Sequence, residues 1–170
     1  MPSIRTTVKV KMDTKKFKKF SSAFKKQKDV TVKVGHFGSK THGEGPETIA
    51  GVSLINQQGN SEIPARPYME YALSNPEFLK AYKKALARIA VGKSTITKEL
   101  PKLGEMLKEI MVRVIQLAGP GFQRNSAATV ARKGADTPLI ETSELMADIE
   151  SKLVRDTGNK RRTGLNTVAQ

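Results

Sequence analysis

The chain reads as an α+β protein: a small mixed or antiparallel sheet packed against several helices, with long loops and a flexible C-terminal tail. Three observations predict this. Period-two alternation recurs in the first forty residues, helical periodicity fills the middle, and Gly- or Pro-rich stretches separate the two. The 170 residues are 38% hydrophobic, enough for one packed core. Residues 1–157 are therefore placed in a single domain. Residues 158–170, poor in apolar side chains, are placed in a flexible basic tail.

The elements follow in order. Ile4, Thr6, Val8, Val10 and Met12 alternate with Arg5, Thr7, Lys9 and Lys11, the pattern of a half-buried strand with a basic outer face. Phe17, Phe20 and Phe24 recur at helical spacing among Lys15, Lys16, Lys18, Lys19, Lys25 and Lys26. This predicts an amphipathic helix, capped by Asp13 or Thr14, with rings inward and ammonium groups outward. Val30, Val32 and Val34 alternate again, so the first unit reads β-α-β. Gly35 to Pro46 holds four glycines and has the composition of a mobile loop. A short helix should follow, with Ile49, Val52 and Ile55 inward and Gly59 as its stop. Pro64 forces an extended approach to Arg66, and Pro67 suits the first turn of a helix.

Asn75-Pro76 is a cap followed by a first-turn proline, opening a helix with Leu79, Tyr82, Leu86 and Ile89 inward. Leu100, Leu103, Leu107, Ile110, Val114 and Leu117 form the most regular apolar line of the chain, with Pro101 in the first turn and Gly119-Pro120-Gly121 as the stop. A run this short predicts packing within the molecule rather than a coiled coil. Ser126 to Arg132 reads as a short helix and Gly134 to Pro138 as a loop. Between Thr142 and Val154 the residues leave two readings open. Leu145, Ile149 and Leu153 fit a helix, and Ile149, Ser151 and Leu153 fit a strand.

Charge is placed unevenly. The net charge is +14; residues 1–40 hold twelve Lys/Arg against two Asp/Glu, and residues 41–154 hold fourteen against thirteen. This predicts a neutral body with a basic face and a basic end containing Lys160, Arg161 and Arg162. Such a face either keeps the protein solvated or meets nucleic acid or an acidic protein surface. The absence of Cys removes disulfides, thiolate nucleophiles and Cys-based metal sites. No apolar run approaches the roughly 20 residues of a membrane span, so no membrane partner is expected.

Tempting catalytic patterns are weak. Gly92-Lys93-Ser94 fits the loosest P-loop spelling, yet the residues before it continue a helix and the loop lacks the glycines that wrap phosphate. Gly92 reads better as a helix end. His36 and His42 lie in the Gly-rich loop near Glu44 and Glu47, with no ligand pair at helical spacing. A Ser-His-acid relay would need one of these rings held rigidly. We expect no cofactor, no metal and no enzymatic activity.

Two segments resemble a known family. One is Val34-Gly35, then Ile49-Ala50, Asn56-Gln57-Gln58-Gly59 and Ile63-Pro64-Ala65-Arg66-Pro67-Tyr68-Met69. The other is Gly119-Pro120, Asn125, Thr129, Arg132-Lys133-Gly134 and Pro138-Leu139-Ile140-Glu141-Thr142-Ser143. Together they look like the tail-completion and head–tail joining proteins of tailed bacteriophages. Gln57-Gln58 stands where the family has Glu-Phe, Glu141 where it has Asp, and Ser143 where it has Gly.

The resemblance implies a short helix and then a strand after Thr142. It implies a non-enzymatic virion component of the neck, a ring around the DNA channel, sixfold in the family, with neck and tail-tube proteins as neighbours. The protein would sit at the tail end of the virion, and in the host cytoplasm during assembly. Candidate contact residues are the six N-terminal lysines, Arg132, Lys133, the Lys160–Arg162 tail and Arg66. Flanking prolines should present the Arg66 guanidinium stiffly to a carboxylate. The competing reading is a basic nucleic-acid-binding accessory protein.

Overall fold

The computed structural model describes residues 30–43, 45–119, 122–134, 136–139 and 143–155, with 14, 15, 18, 21 and 22. The elements are β1 (Val30–Gly35), α1 (Ile49–Gln58), α2 (Tyr68–Leu73), α3 (Pro76–Ala90), α4 (Ile96–Gln116), α5 (Ala127–Lys133), α6 (Glu144–Ala147) and β2 (Glu150–Arg155). β1 and β2 pair antiparallel, with Val32 opposite Leu153 and Gly35 opposite Glu150. The fold is thus α+β, a two-stranded sheet against several helices. The first strand of the predicted β-α-β unit lies outside the described residues. Thr14, Lys15, Lys18, Ser21 and Ser22 are helical. After residue 142 the chain makes a short helix and then a strand.

Helix starts obey local chemistry. Asn75 Oδ1 accepts the Glu77 N–H at 2.9 Å, Thr48 Oγ1 accepts the Gly51 N–H at 3.0 Å, and Ser126 Oγ accepts the Thr129 N–H at 3.2 Å. Helix ends do too. After α3, Gly92 at φ 72° donates its N–H to Ile89 and the Lys93 N–H goes to Arg88, the double bond of a Schellman turn. So Gly92-Lys93-Ser94 closes a helix.

α4 is the axis of the molecule and packs against α2, α3, β1 and β2. Its Ile110, Met111 and Ile115 form the core with Tyr68, Ala72, Ile49, Leu145 and Ile149. The helix starts at Ile96, four residues before the leucine line begins at Leu100, so Pro101 falls in the second turn. Its buried face is shifted to one side of that line: Ile110 of the line is buried with Gly104, Met111 and Ile115, Leu107 and Val114 pack half-buried against the core, and Leu117 is 75% exposed. Gly104 is the reason. A Cβ there would lie 2.9 Å from Val32 Cγ1, so the sheet closes onto the bare backbone.

α3 is turned likewise. Ala85 and Ile89 are buried, while Leu79, Tyr82 and Leu86 remain exposed. The small alanine admits α4 where a leucine would hold it off. In α1 the inward residues are Ile49 and Ser53, and Ile55 is exposed, because the Ser53 hydroxyl bonds inside the core. The loop after β1 is not the free segment its glycines predict. Thr41 bridges Thr48, the His42 N–H bonds Glu47 O at 2.8 Å, and the Gly43 N–H bonds Glu144 Oε2 at 3.2 Å.

Candidate functional site

The two segments that carry the resemblance meet around Arg66. The extended chain between Pro64 and Pro67 runs beside the end of α1, where the Arg66 N–H bonds Asn56 O at 2.6 Å. The side chain turns inward and is 6% exposed. Its Nη1 donates to Asn56 Oδ1 at 3.3 Å, its Nη2 to Asn125 Oδ1 at 3.1 Å and its Nε to Gln123 O at 3.3 Å. Three neutral oxygens thus hold the guanidinium, which corrects the expected carboxylate contact. Burial lowers the Arg66 pKa, and the Asp136 carboxylate opposes that. Asp136 reaches the site through the Asn125 N–H at 3.0 Å and also pairs with Arg124 at 3.3 Å.

A cleft of about 260 Å3 opens beside this clasp, lined among others by Asn56, Glu62, Arg66, Asn125, Arg132 and Glu144. Of the candidate contact residues, Arg66 and Arg132 are therefore brought together; Arg132 is exposed on α5. Lys133 closes the same helix. Lys15 and Lys18 are exposed and helical. Lys16, Lys19, Lys25, Lys26, Lys160, Arg161 and Arg162 lie outside the described residues.

A second polar cluster was legible in the sequence only at its histidine. His36, the first residue after β1, is held by Tyr68 Oη at 2.8 Å from Nε2 and by Asp148 Oδ2 at 3.3 Å from Nδ1. The Ser53 hydroxyl lies 2.5 Å from the Tyr68 hydroxyl, and Lys40 Nζ is 3.1 Å from Asp148 Oδ1. One assignment satisfies the chain: Ser53 donates to Tyr68, Tyr68 donates to Nε2, and the Nδ1–H donates to Asp148. It requires a neutral imidazole. Burial lowers the His36 pKa accordingly, against the pull of Asp148.

The Tyr68 hydroxyl is pushed up to about 12, chiefly by burial. Ser53, Tyr68 and Asp148 are at most 5% exposed, so the relay is a polar fastener inside the core, and Asp148 at its end also lines a cleft beside Lys40. No spacing rule joins residues 36, 53, 68 and 148; only His36, one of two histidines, and Tyr68, within the Pro-Arg-Pro-Tyr run, carried a signal. His42 goes elsewhere, to Glu144 Oε2 at 2.9 Å.

No protein-family model, curated protein or solved structure matches the chain.

Proposed function

We propose that the protein is a structural virion component of a tailed phage, a tail-completion or neck subunit whose ring joins the tail to the DNA-filled head. It is not an enzyme in this reading. The observation that carries it is the clasp at Arg66. The Ile63–Met69 run and the Gly119–Ser143 run are far apart in sequence, yet Arg66 of one is bonded to Gln123 and Asn125 of the other. Motif residues that share one clasp behave as one structural signature, and the bonds made are those of a scaffold. The left-handed backbone at Ser143, φ 61°, agrees with the glycine the family places there.

An assembling subunit also needs surface to bury, and α3 exposes Leu79, Tyr82 and Leu86 along one line. The test is negative-stain microscopy of the purified full chain, alone and added to phage tails made without it. Closed rings of uniform diameter, and tails that regain the capacity to join heads, are expected. A chain that stays monomeric and leaves tails unjoined would remove the reading. The alternative, a nucleic-acid-binding accessory protein, has one observation in its favour: the density of Lys at the turn between α3 and α4.

A further inference from the structure

The near-neutral balance of residues 41–154 conceals a strong polarity. Residues 80–102 hold seven Lys/Arg against one Glu, and the rest of 41–154 holds seven against twelve Asp/Glu. The fold gathers these cations at one corner. α3 and α4 run antiparallel, since Arg113 pairs with Glu77 near one end and Arg88 with Glu99 near the other. The groove between them is lined by Lys84, Arg88 and Lys102 over Ala81, Ala85 and Met106. Lys93 in the connecting turn and Lys98 in the first turn of α4 are exposed beside it.

The single carboxylate of this stretch, Glu99, lies in the floor of the groove beneath these cations. Glu99 is 5% exposed, and its Oε1 lies 3.4 Å from Arg88 Nη2. A hydrogen bond from Ser94, with the charges of Arg88 and Lys102, holds it ionised against the cost of burial. It therefore anchors Arg88 from below and leaves the lysines facing outward. Lys80/Lys84, Lys84/Arg88 and Lys98/Lys102 are like-charge pairs one helical turn apart, an arrangement that is unfavourable in an isolated helix. A polyanion reverses that sign.

We propose that the corner where α3 turns into α4 binds the phosphate backbone of double-stranded nucleic acid through Lys84, Arg88, Lys93, Lys98 and Lys102. Four of these five are lysines: mobile, strongly hydrated point charges that suit a row of solvated phosphates. An acidic protein partner would call for aromatic anchors, and here the apolar floor of the groove is Ala81, Ala85, Leu103 and Met106, with no aromatic ring. The contact reads charge and not base sequence. It stands independently of the ring proposed above.

The test uses the full chain and a fluorescent DNA duplex of mixed sequence, with affinity measured by anisotropy between about 50 and 200 mM salt. Lys84→Gln/Lys93→Gln/Lys98→Gln/Lys102→Gln is compared with a charge-matched control, Lys18→Gln/Lys33→Gln/Arg124→Gln/Arg155→Gln. Arg88 is spared because it balances buried Glu99. Each lost phosphate contact removes about 0.9 from the log–log salt slope, so the fourfold corner variant should lose about 3.6 from the slope and at least about tenfold in affinity at 100 mM salt. The control should stay within about 1 of the parent slope. Thermal unfolding checks that both variants fold. Absence of DNA binding by the parent, or equal losses in both variants, overturns the proposal. So does a corner variant that keeps DNA binding but loses self-association in sedimentation, which would assign the corner to an acidic protein surface instead.

Discussion

Arg66 and His36 are two buried basic groups that meet the cost of burial in opposite ways. Arg66 stays charged and surrounds itself with oxygens; at His36 burial disfavours the protonated form, against the pull of Asp148. Arg66→Ala leaves Asn56 Oδ1, Asn125 Oδ1 and Gln123 O without their donor and opens a cavity. It should cost about 3 kcal/mol, read as a lower urea midpoint at unchanged slope. Arg66→Lys keeps the charge, but one ammonium cannot reproduce a fork spanning two elements, so it should still cost more than about 1 kcal/mol. A loss below about 0.5 kcal/mol for Arg66→Ala would make Arg66 an ordinary surface residue. For His36 the sign follows from its lowered folded-state pKa. The unfolded imidazole titrates near 6.5, so below that pH the unfolded chain binds more protons and the fold loses stability. Stability from this group is complete above about pH 7.5 and declines toward pH 5.5, at up to about 1.4 kcal/mol per pH unit. Urea melts should show that decline in the parent chain and a flatter profile in His36→Gln; parallel profiles would refute the assignment.

At the scale of the element, the two long helices make one controlled comparison. Both end in a Schellman turn: after α3 the left-handed position is Gly92 at φ 72°, after α4 it is Ala118 at φ 47°. A side chain there costs about 1–2 kcal/mol, partly offset by the greater freedom glycine has when unfolded. Ala118→Gly should therefore stabilise by about 0.5–1 kcal/mol, raising the denaturation midpoint; a fall would show that the Ala118 methyl group is needed. Gly104→Ala should do the reverse. The gain in helix propensity, about 1 kcal/mol, is smaller than the cost of driving Cβ into Val32 and Ser151, so a net loss of about 1–2 kcal/mol is expected in the same melts. These sites also mark what the residues declare in advance. Gly59 after α1, Asn75 with Pro76 at the start of α3, and Ser126 with Gly134 around α5 bound their helices as read, because capping depends on near neighbours alone. The faces of α1, α3 and α4 followed their large apolar residues only in part, at Ile49, Ile89 and Ile110. Which face turns inward was decided by Ser53, Ala85 and Gly104, small residues whose value lies in what approaches them. The Arg66 clasp was legible as a motif but not as a burial, since its acceptors Gln123 and Asn125 lie 57 and 59 residues onward.

Over the whole molecule, charge works against compactness. The chain has 30 Lys/Arg and 16 Asp/Glu, so fourteen cations have no anion to balance them. Salt then has two opposing effects. It weakens ion pairs such as Arg113–Glu77 at 3.1 Å and Arg124–Asp136 at 3.3 Å, and it screens the repulsion among the excess cations. The first effect is small, because an exposed pair contributes at most about 1 kcal/mol even unscreened. The second is larger, because repulsion sums over every cation within a Debye length, about 30 Å at 0.01 M salt and about 10 Å at 0.1 M. The longer length approaches the size of a domain and the shorter spans only neighbours. The unfolded chain carries the same charge at wider spacing, so screening favours the folded state. Raising sodium chloride from about 10 to 100 mM should stabilise the fold by about 1–2 kcal/mol, a rise of roughly 2–6 °C in Tm by circular dichroism. Lys84→Gln/Lys93→Gln/Lys98→Gln/Lys102→Gln relieves the densest part of the repulsion by mutation and should reduce the rise. A Tm that falls with salt in the parent chain would mean that its ion pairs outweigh its excess charge.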